Sequence, residues 1–134
     1  MSASDAGYNP LAYHGGTVWP HDTALVAAGL RRYGFDVEAA TVGRALLDAA
    51  RAFSHQLPEV FAGFARDEAD VPVEYPGALT PQSWAAGAPL LVLRTLLGLD
   101  EADGRLRSNP CLPPGIGTLR LRGLRFRGRT VSVP

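Results

Sequence analysis

The sequence predicts a mainly α-helical fold, in which three helices are followed by a small C-terminal antiparallel β meander. Two stretches of the first half carry apolar residues at helical spacing, and a third apolar stretch ends at Gly98. From residue 118 onward, apolar residues alternate with arginines. We therefore assign residues 1–100 to a helical segment and residues 101–134 to a β tail packed on it. A chain of 134 residues would bury about two thirds of its unfolded surface.

The first helix is predicted to begin at Pro20, because the first helical turn tolerates a missing N–H group. Asp22 follows in the same turn, where a carboxylate interacts favourably with the helix dipole. Gly34 is the expected C-terminal stop. The second helix is predicted from Asp36, a good N-cap residue, to about Ser54.

The third helix is predicted to begin at Thr80-Pro81, an N-cap followed by a first-turn proline, and to end at Gly98. Its sequence "AAGAPLLVLRTLLGL" is apolar nearly all the way round. Such a helix belongs in a deep interior, which three helices and a meander have difficulty providing. The chain is therefore expected to be an oligomer or part of something larger.

About 25 residues of little periodicity, "HQLPEVFAGFARDEADVPVEYPGAL", separate the second and third helices. Connections of this length are uncommon in compact domains and are usually functional or disordered. Phe61, Phe64 and Tyr75 lie among its carboxylates and favour an ordered loop. The tail "TLRLRGLRFRGRTVSV" places arginines between apolar residues, as expected of a meander with one covered face and one solvated face.

The composition excludes several classes of protein. Thirteen arginines balance thirteen acidic residues, so neither nucleic acid nor an anionic membrane is the expected partner. Cys111 is the single cysteine and fits a reducing compartment. The start "MSASDAGYNP" has no secretory signal pattern, and no run of about 18 apolar residues indicates a membrane span. A cytoplasmic location is expected.

Polar and aromatic residues crowd the start of the first helix in "YHGGTVWPHD" and suggest a sugar-binding pocket. Trp19 offers a flat apolar face for a pyranose ring, while His21 and Asp22 offer donors and acceptors for hydroxyl groups. The alternatives are that Trp19 is a core aromatic, that Asp22 only complements the helix dipole, and that His14 is structural.

No metal site or cofactor is expected. The three histidines stand at positions 14, 21 and 55, with no cysteine pair and no HExxH spacing. Ser83 lacks the G-x-S-x-G setting of an activated nucleophile. The sequence also has no glycine-rich loop with phosphate-binding spacing.

Three segments together resemble the C-terminal end of bacterial glycogen-debranching-type enzymes, the amylo-alpha-1,6-glucosidase-like six-hairpin glycoside hydrolases. These segments are "YNPLAYHGGTVWPHDTALVAAGLRRYGF", "LPEVFAGF" and "YPGALTPQSWAAGAPLLVLRTLLGL", and they follow the family's order. The resemblance implies a partial (α/α)6 barrel with about three of the twelve helices. It also implies that the chain is the last quarter of such an enzyme, and that α-glucan or an oligosaccharide is bound by the intact enzyme.

The resemblance assigns roles to individual residues. Glu59 matches the general base of an inverting hydrolase, which needs an acid on the other side of the bond. Gln82 is expected to orient the base loop, and Trp84 either lines the pocket or packs in the core. Without the resemblance, Glu59 is an N-capping or solvent-facing residue. The other carboxylates of the loop are interpreted as a solvated face.

Two functions remain open on this evidence. The chain is either the base-bearing segment of an α-glucan-acting glycosidase, or a non-catalytic helical module that self-associates or pairs with a separate N-terminal chain. The family's general acid lies upstream of the matched region, so the chain alone is expected to be inactive. Because several leucines of the third helix lack partners, we expect a homo-oligomer, most simply a dimer, or a missing N-terminal barrel portion.

Overall fold

The computed structural model describes residues 1–133. It contains helices α1 (Pro20–Arg32), α2 (Asp36–Ala52) and α3 (Ser83–Leu97), and strands β1 (Leu99–Ala102), β2 (Arg105–Ser108), β3 (Leu121–Phe126) and β4 (Arg129–Val133). The strands form two separate antiparallel hairpins, β1–β2 and β3–β4.

The prediction of a mainly α fold with part of an (α/α)6 barrel is wrong. Helices account for 34% of the residues, and the strands form two small antiparallel sheets, so the chain has a small α+β fold. The predicted meander is a single hairpin, and the β1–β2 hairpin was not predicted. Asp103 and Gly104 cause the difference: both have positive φ, 53° and 73°, as a two-residue hairpin turn of matching twist requires.

The first two helices lie close to their predicted positions. Helix α1 begins at Pro20 as expected, and Gly34, with φ of 85°, follows its end. Helix α2 ends two residues earlier than predicted, and its N-cap residue is Phe35. Asp36 is therefore the first helical residue and caps nothing; its carboxylate accepts from the guanidinium of Arg31 and joins α1 to α2.

Helix α3 begins later than predicted. Thr80 and Pro81 precede it, and Gln82 is the N-cap residue, with its side-chain oxygen accepting from the Ser83 N–H at 3.0 Å. At the other end Gly98 adopts the left-handed conformation, with φ of 56°, and stops the helix as expected.

The core is formed where α1 packs against both α2 and α3. Small side chains allow the helices to approach closely, and Gly43 of α2 lies against Leu96 and Val92 of α3. Loop residues close the core from outside the helices. The largest cluster of buried residues, from helices and loops together, consists of Ala24, Ala40, Leu46, Ala49, Ala50, Leu57, Phe61, Ala85, Ala88, Val92 and Leu96.

Part of the apolar surface stays uncovered. In α3, Val92, Leu96 and Leu97 are buried, whereas Leu90 is 69% exposed. On α1, Leu25 and Val26 are half exposed. Within residues 1–133, no helix is long and apolar enough to cross a bilayer.

Candidate functional site

The site begins with the folded loop that precedes α1. The N–H groups of Gly15 and Gly16 both donate to the carbonyl of Ala12, which turns the chain back on itself. A side chain at Gly16 would lie 2.3 Å from the carbonyl oxygen of Asn9, so only glycine fits there. The loop therefore delivers Tyr13, His14 and Trp19 to one end of α1.

The long loop between α2 and α3 is ordered by pairing with this first loop. Val18 and Phe61 exchange two backbone hydrogen bonds, of 2.8 and 3.0 Å, and Phe61 also bridges to Glu74. Gly63 lies so close to the first loop that a Cβ there would fall 1.8 Å from the carbonyl oxygen of Gly16. These contacts bring Glu59 and Tyr75 to the same region as Trp19.

Six rings meet where the loop before α1 contacts the loop between α2 and α3, and we call them the aromatic cluster. His14 stacks on Trp19 at 5.3 Å with the planes 6° apart, and His21 stacks on Trp84 at 5.4 Å. Trp19 and Trp84 meet edge to face at 6.0 Å. Such ring pairs contribute about 0.5–1.5 kcal/mol each beyond area burial. The members of the cluster are Tyr13, His14, Trp19, His21, Tyr75 and Trp84.

Glu59 lies against this cluster. The Tyr13 hydroxyl donates to its Oε1 at 2.8 Å, and the Glu59 N–H donates to the Leu79 carbonyl at 2.9 Å. The hydrogen bond to Glu59 raises the pKa of Tyr13 above 10.0, with desolvation and the negative charge of Glu59 adding to the shift. The carboxylate of Glu59 is thus held by one donor and retains further acceptor capacity.

The two indole rings differ in what they can offer a ligand. The Trp19 N–H donates to the Tyr13 carbonyl and to Thr17 Oγ1, at 3.2 and 3.1 Å, and His14 covers one of its faces. His21 likewise stacks on one face of Trp84, but Trp84 is 44% exposed whereas Trp19 is half-buried. A pyranose ring would therefore find its stacking surface on Trp84, rather than on Trp19 as the sequence suggested.

Two of the predicted site residues take other positions. Asp22 is exposed in the first turn of α1 and has no side-chain hydrogen bond or ion pair in the described structure. Gln82 caps α3, two residues before Trp84. The structure thus gathers Glu59 with His14, Trp19, His21 and Trp84, and leaves Asp22 and Gln82 at its edges.

The sequence interpretation missed Tyr13 and Tyr75 as site residues. The Tyr13 ring lies 4.6 Å from Trp19 and 5.6 Å from Tyr75, so it joins the two loops. The sequence could have indicated Tyr13, because it stands next to the candidate residue His14 in "AYHGG". Neighbouring residues on a tight loop lie in the same region of the structure. Tyr75 carried no local signal, because long-range pairing brings it near: Phe61 bridges to Glu74, and the Ala62 N–H donates to the Val73 carbonyl.

Two cavities adjoin the loops that carry the aromatic cluster. One of about 520 Å³ is bounded by α2 and by the loop from Phe61 to Val73, and a smaller one of about 390 Å³ reaches Glu74 and Tyr75. Across residues 1–133, no group of three or more His, Cys, Asp or Glu side chains could hold a metal ion. The cluster itself is partly exposed, at Tyr13, His14 and Trp84.

Neither the scan against family models nor the search of curated proteins finds a match. The functional assignment therefore depends on the geometry of the site and on the motif resemblance.

Proposed function

We propose that this chain is the C-terminal, base-bearing portion of an α-glucan-acting glycoside hydrolase of the glycogen-debranching, amylo-alpha-1,6-glucosidase type. The observation that supports it is the aromatic cluster gathered around Glu59. Residues from three separate segments of the sequence meet there, and each segment belongs to one of the motifs on which the resemblance depends.

The chemistry of the cluster suits a neutral sugar polymer. Exposed indole and phenol rings pack against the apolar C–H faces of pyranose rings, while imidazole and hydroxyl groups at their edges bond to sugar hydroxyls. His21 and Trp84 present both kinds of group side by side. Glu59 is the carboxylate that a hydrogen bond ties to this surface.

In this proposal Glu59 is the general base that removes a proton from the attacking water. Inversion then requires a carboxylic acid about 6.5–9.5 Å away, across the glycosidic bond, to protonate the leaving oxygen. Tyr13 is a positioning residue, because its hydroxyl fixes one carboxylate oxygen and leaves the other free for water. The acid is proposed to come from outside this chain, so the isolated chain binds glucan without cleaving it.

Calorimetric titration with maltooligosaccharides tests the proposal. We expect binding of the order of 1 mM, which corresponds to about 4 kcal/mol. Trp84→Ala is expected to abolish it. Tyr33→Ala, which removes an 80% exposed ring outside the cluster, is the matched control and should leave affinity unchanged. Equal loss in both variants, or equal affinity for β-linked cello-oligosaccharides, would remove the assignment.

A hydrolysis assay tests the role of Glu59. The purified chain is expected to release no reducing sugar from maltooligosaccharides or branched glucan. Turnover that persists in Glu59→Gln would overturn both the inactivity of the isolated chain and the assigned base.

The uncovered apolar residues support a second candidate, a non-catalytic module that self-associates. Leu90, Leu25 and Val26 are all at least half exposed, and leaving a leucine in water forfeits roughly 1.5–3 kcal/mol relative to burial. Pairing two copies would cover these side chains. Sedimentation equilibrium at micromolar concentration decides this candidate: a dimer that Leu90→Ser dissociates supports it, and a stable monomer excludes it.

A further inference from the structure

The two ends of the chain carry opposite charge. From Gly104 onward the sequence has seven arginines and no acidic residue, which gives +7. The first 103 residues have six arginines against thirteen acids, which gives −7. The expectation that nucleic acid is not a partner used only the net charge of the whole chain. Since exposed charges are screened beyond about 8 Å at physiological salt, a ligand at one end responds to the local charge.

The positive charge is concentrated around a groove between the two hairpins. An ion pair between Arg127 and Glu101 connects the β3–β4 turn to β1. The groove has a volume of about 650 Å³. Its lining, which we call the arginine groove, consists of Arg105, Arg107, Arg127 and Arg129 together with Leu106, Phe126, Val131, Val133 and small residues. No acidic residue lines it.

Two of the four arginines have uncompensated charge. Arg107 pairs with Asp103 at 3.0 Å and Arg127 pairs with Glu101, whereas Arg105 and Arg129 have no carboxylate within 4.0 Å in residues 1–133. Arg105 and Arg107 stand two residues apart on β2, so their side chains leave the same face about 6.8 Å apart. Across β3–β4, Phe126 pairs directly with Arg129.

We propose that the arginine groove binds single-stranded nucleic acid. Guanidinium groups form bidentate, charge-assisted bonds with phosphates, and an aromatic ring beside a positively charged groove is how sequence-tolerant single-strand binders hold bases. Arg105 and Arg129 would take phosphates, and Phe126 would stack against a base. A membrane surface fits less well, because every large apolar side chain exposed in residues 1–133 lies at or before Leu90 and membrane insertion needs such anchors.

Fluorescence anisotropy with a labelled oligothymidylate of about 12 nucleotides tests the proposal. The double variant Arg105→Gln/Arg129→Gln is expected to weaken binding at least tenfold. It should also reduce the slope of log K against log salt by about 1.4, because each lost phosphate contact on a single strand contributes about 0.7. The matched control, Arg120→Gln/Arg122→Gln, removes the same charge from residues outside the groove lining and should weaken binding less than threefold.

A further variant tests the stacking contact. Phe126→Leu keeps an apolar side chain in the groove and the charge unchanged, and is expected to weaken binding about fivefold. Equal weakening by both double variants would overturn the proposal. It would show that the oligonucleotide is attracted by the overall positive charge and does not bind in the arginine groove. Binding to vesicles of anionic phospholipid, or to an acidic peptide, with none to the oligonucleotide would also overturn it.

Discussion

The helical part of the molecule, residues 1–98, and the hairpin part, residues 99–133, are stabilised by different interactions. The first contains nearly all the buried apolar side chains, while the second contributes only Val133 and Pro113 among the most buried residues. The hairpins depend instead on strand pairing and on turns with positive φ at Asp103, Gly104, Arg127 and Gly128. Stability is therefore concentrated in the helices, and the hairpins open locally at lower cost.

The two parts also differ in chemistry. Both tryptophans and all the acidic residues lie in residues 1–103. In the segment after them, every charged side chain is an arginine. The proposed sugar site and the proposed nucleic-acid site therefore lie in parts of the chain that differ in charge.

The largest effect is expected in the core of α3. Leu96→Ala removes a side chain with no exposed surface and should lower the free energy of unfolding by about 2–5 kcal/mol. Urea denaturation followed by circular dichroism measures it. Leu90→Ala, on the same helix but 69% exposed, is expected to change stability by less than about 0.5 kcal/mol. Similar losses in the two variants would contradict the assigned core.

The next largest effect is expected where the loop before α1 contacts the loop between α2 and α3. Gly63→Ala would place a Cβ 1.8 Å from the Gly16 carbonyl oxygen, so backbone must move, at a cost of about 1–3 kcal/mol. Gly29→Ala is the matched control: nothing lies within 4 Å of its Cβ position in α1, and alanine there should stabilise by about 0.5–1 kcal/mol. Thermal unfolding measures these changes in stability, which should have opposite signs in the two variants. No change in Gly63→Ala would refute the close approach of Gly63 to Gly16.

A smaller effect is expected in the hairpins. Gly128 has φ of 77°, a conformation that is unfavourable for alanine. Gly128→Ala is therefore expected to lower the free energy of unfolding of this hairpin by about 1–2 kcal/mol. Hydrogen exchange should show lost protection at β3 and β4 amides alone, because few buried contacts connect the hairpins to the helices. Gly117→Ala, with open space around its Cβ position, is the control. Destabilisation of α1–α3 by Gly128→Ala would show that the two parts unfold together.

The smallest effect is electrostatic. The folded chain holds the Tyr13 proton more tightly than the unfolded chain, so the resulting stability is complete below pH 10.0 and lost as pH rises through the raised pKa of Tyr13. Tyrosinate absorbance of the wild type minus that of Tyr13→Phe isolates this ionisation. Glu59→Gln should return the pKa of Tyr13 towards 10.0, since the hydrogen bond to Glu59 is the main cause of the shift. If the pKa of Tyr13 were unchanged in Glu59→Gln, the hydrogen bond to Glu59 would not be the cause of the shift.

Helices α1 and α2 were predictable because proline, glycine and apolar spacing act locally. The start of α3 was not, since Thr80-Pro81 has the local pattern of a helix start, yet Gln82 caps the helix. The β1–β2 hairpin was predictable in principle from Asp103-Gly104, a dipeptide typical of two-residue hairpin turns. Its short flanking strands, with exposed Arg105 and Arg107, concealed that signal.

The candidate site was only partly predictable. His14, Trp19 and His21 lie within eight residues of one another, so their proximity follows from the sequence. The approach of Glu59 and Trp84 depends on the Val18–Phe61 pairing and on the packing of α3 against α1, which are long-range contacts. Only the motif resemblance linked these residues beforehand. It did not indicate that His14 would cover one face of Trp19.

The central claim is that the aromatic cluster beside Glu59 binds α-glucan, and tryptophan fluorescence tests it most directly. Trp19 and Trp84 are the only tryptophans of the chain, and they lie 6.0 Å apart within the cluster. Titration with maltooligosaccharide is therefore expected to shift the emission saturably, with the change lost in Trp84→Phe and absent with a β-linked oligosaccharide. Calorimetric binding of maltooligosaccharide with unchanged tryptophan emission would place the sugar elsewhere and contradict the account.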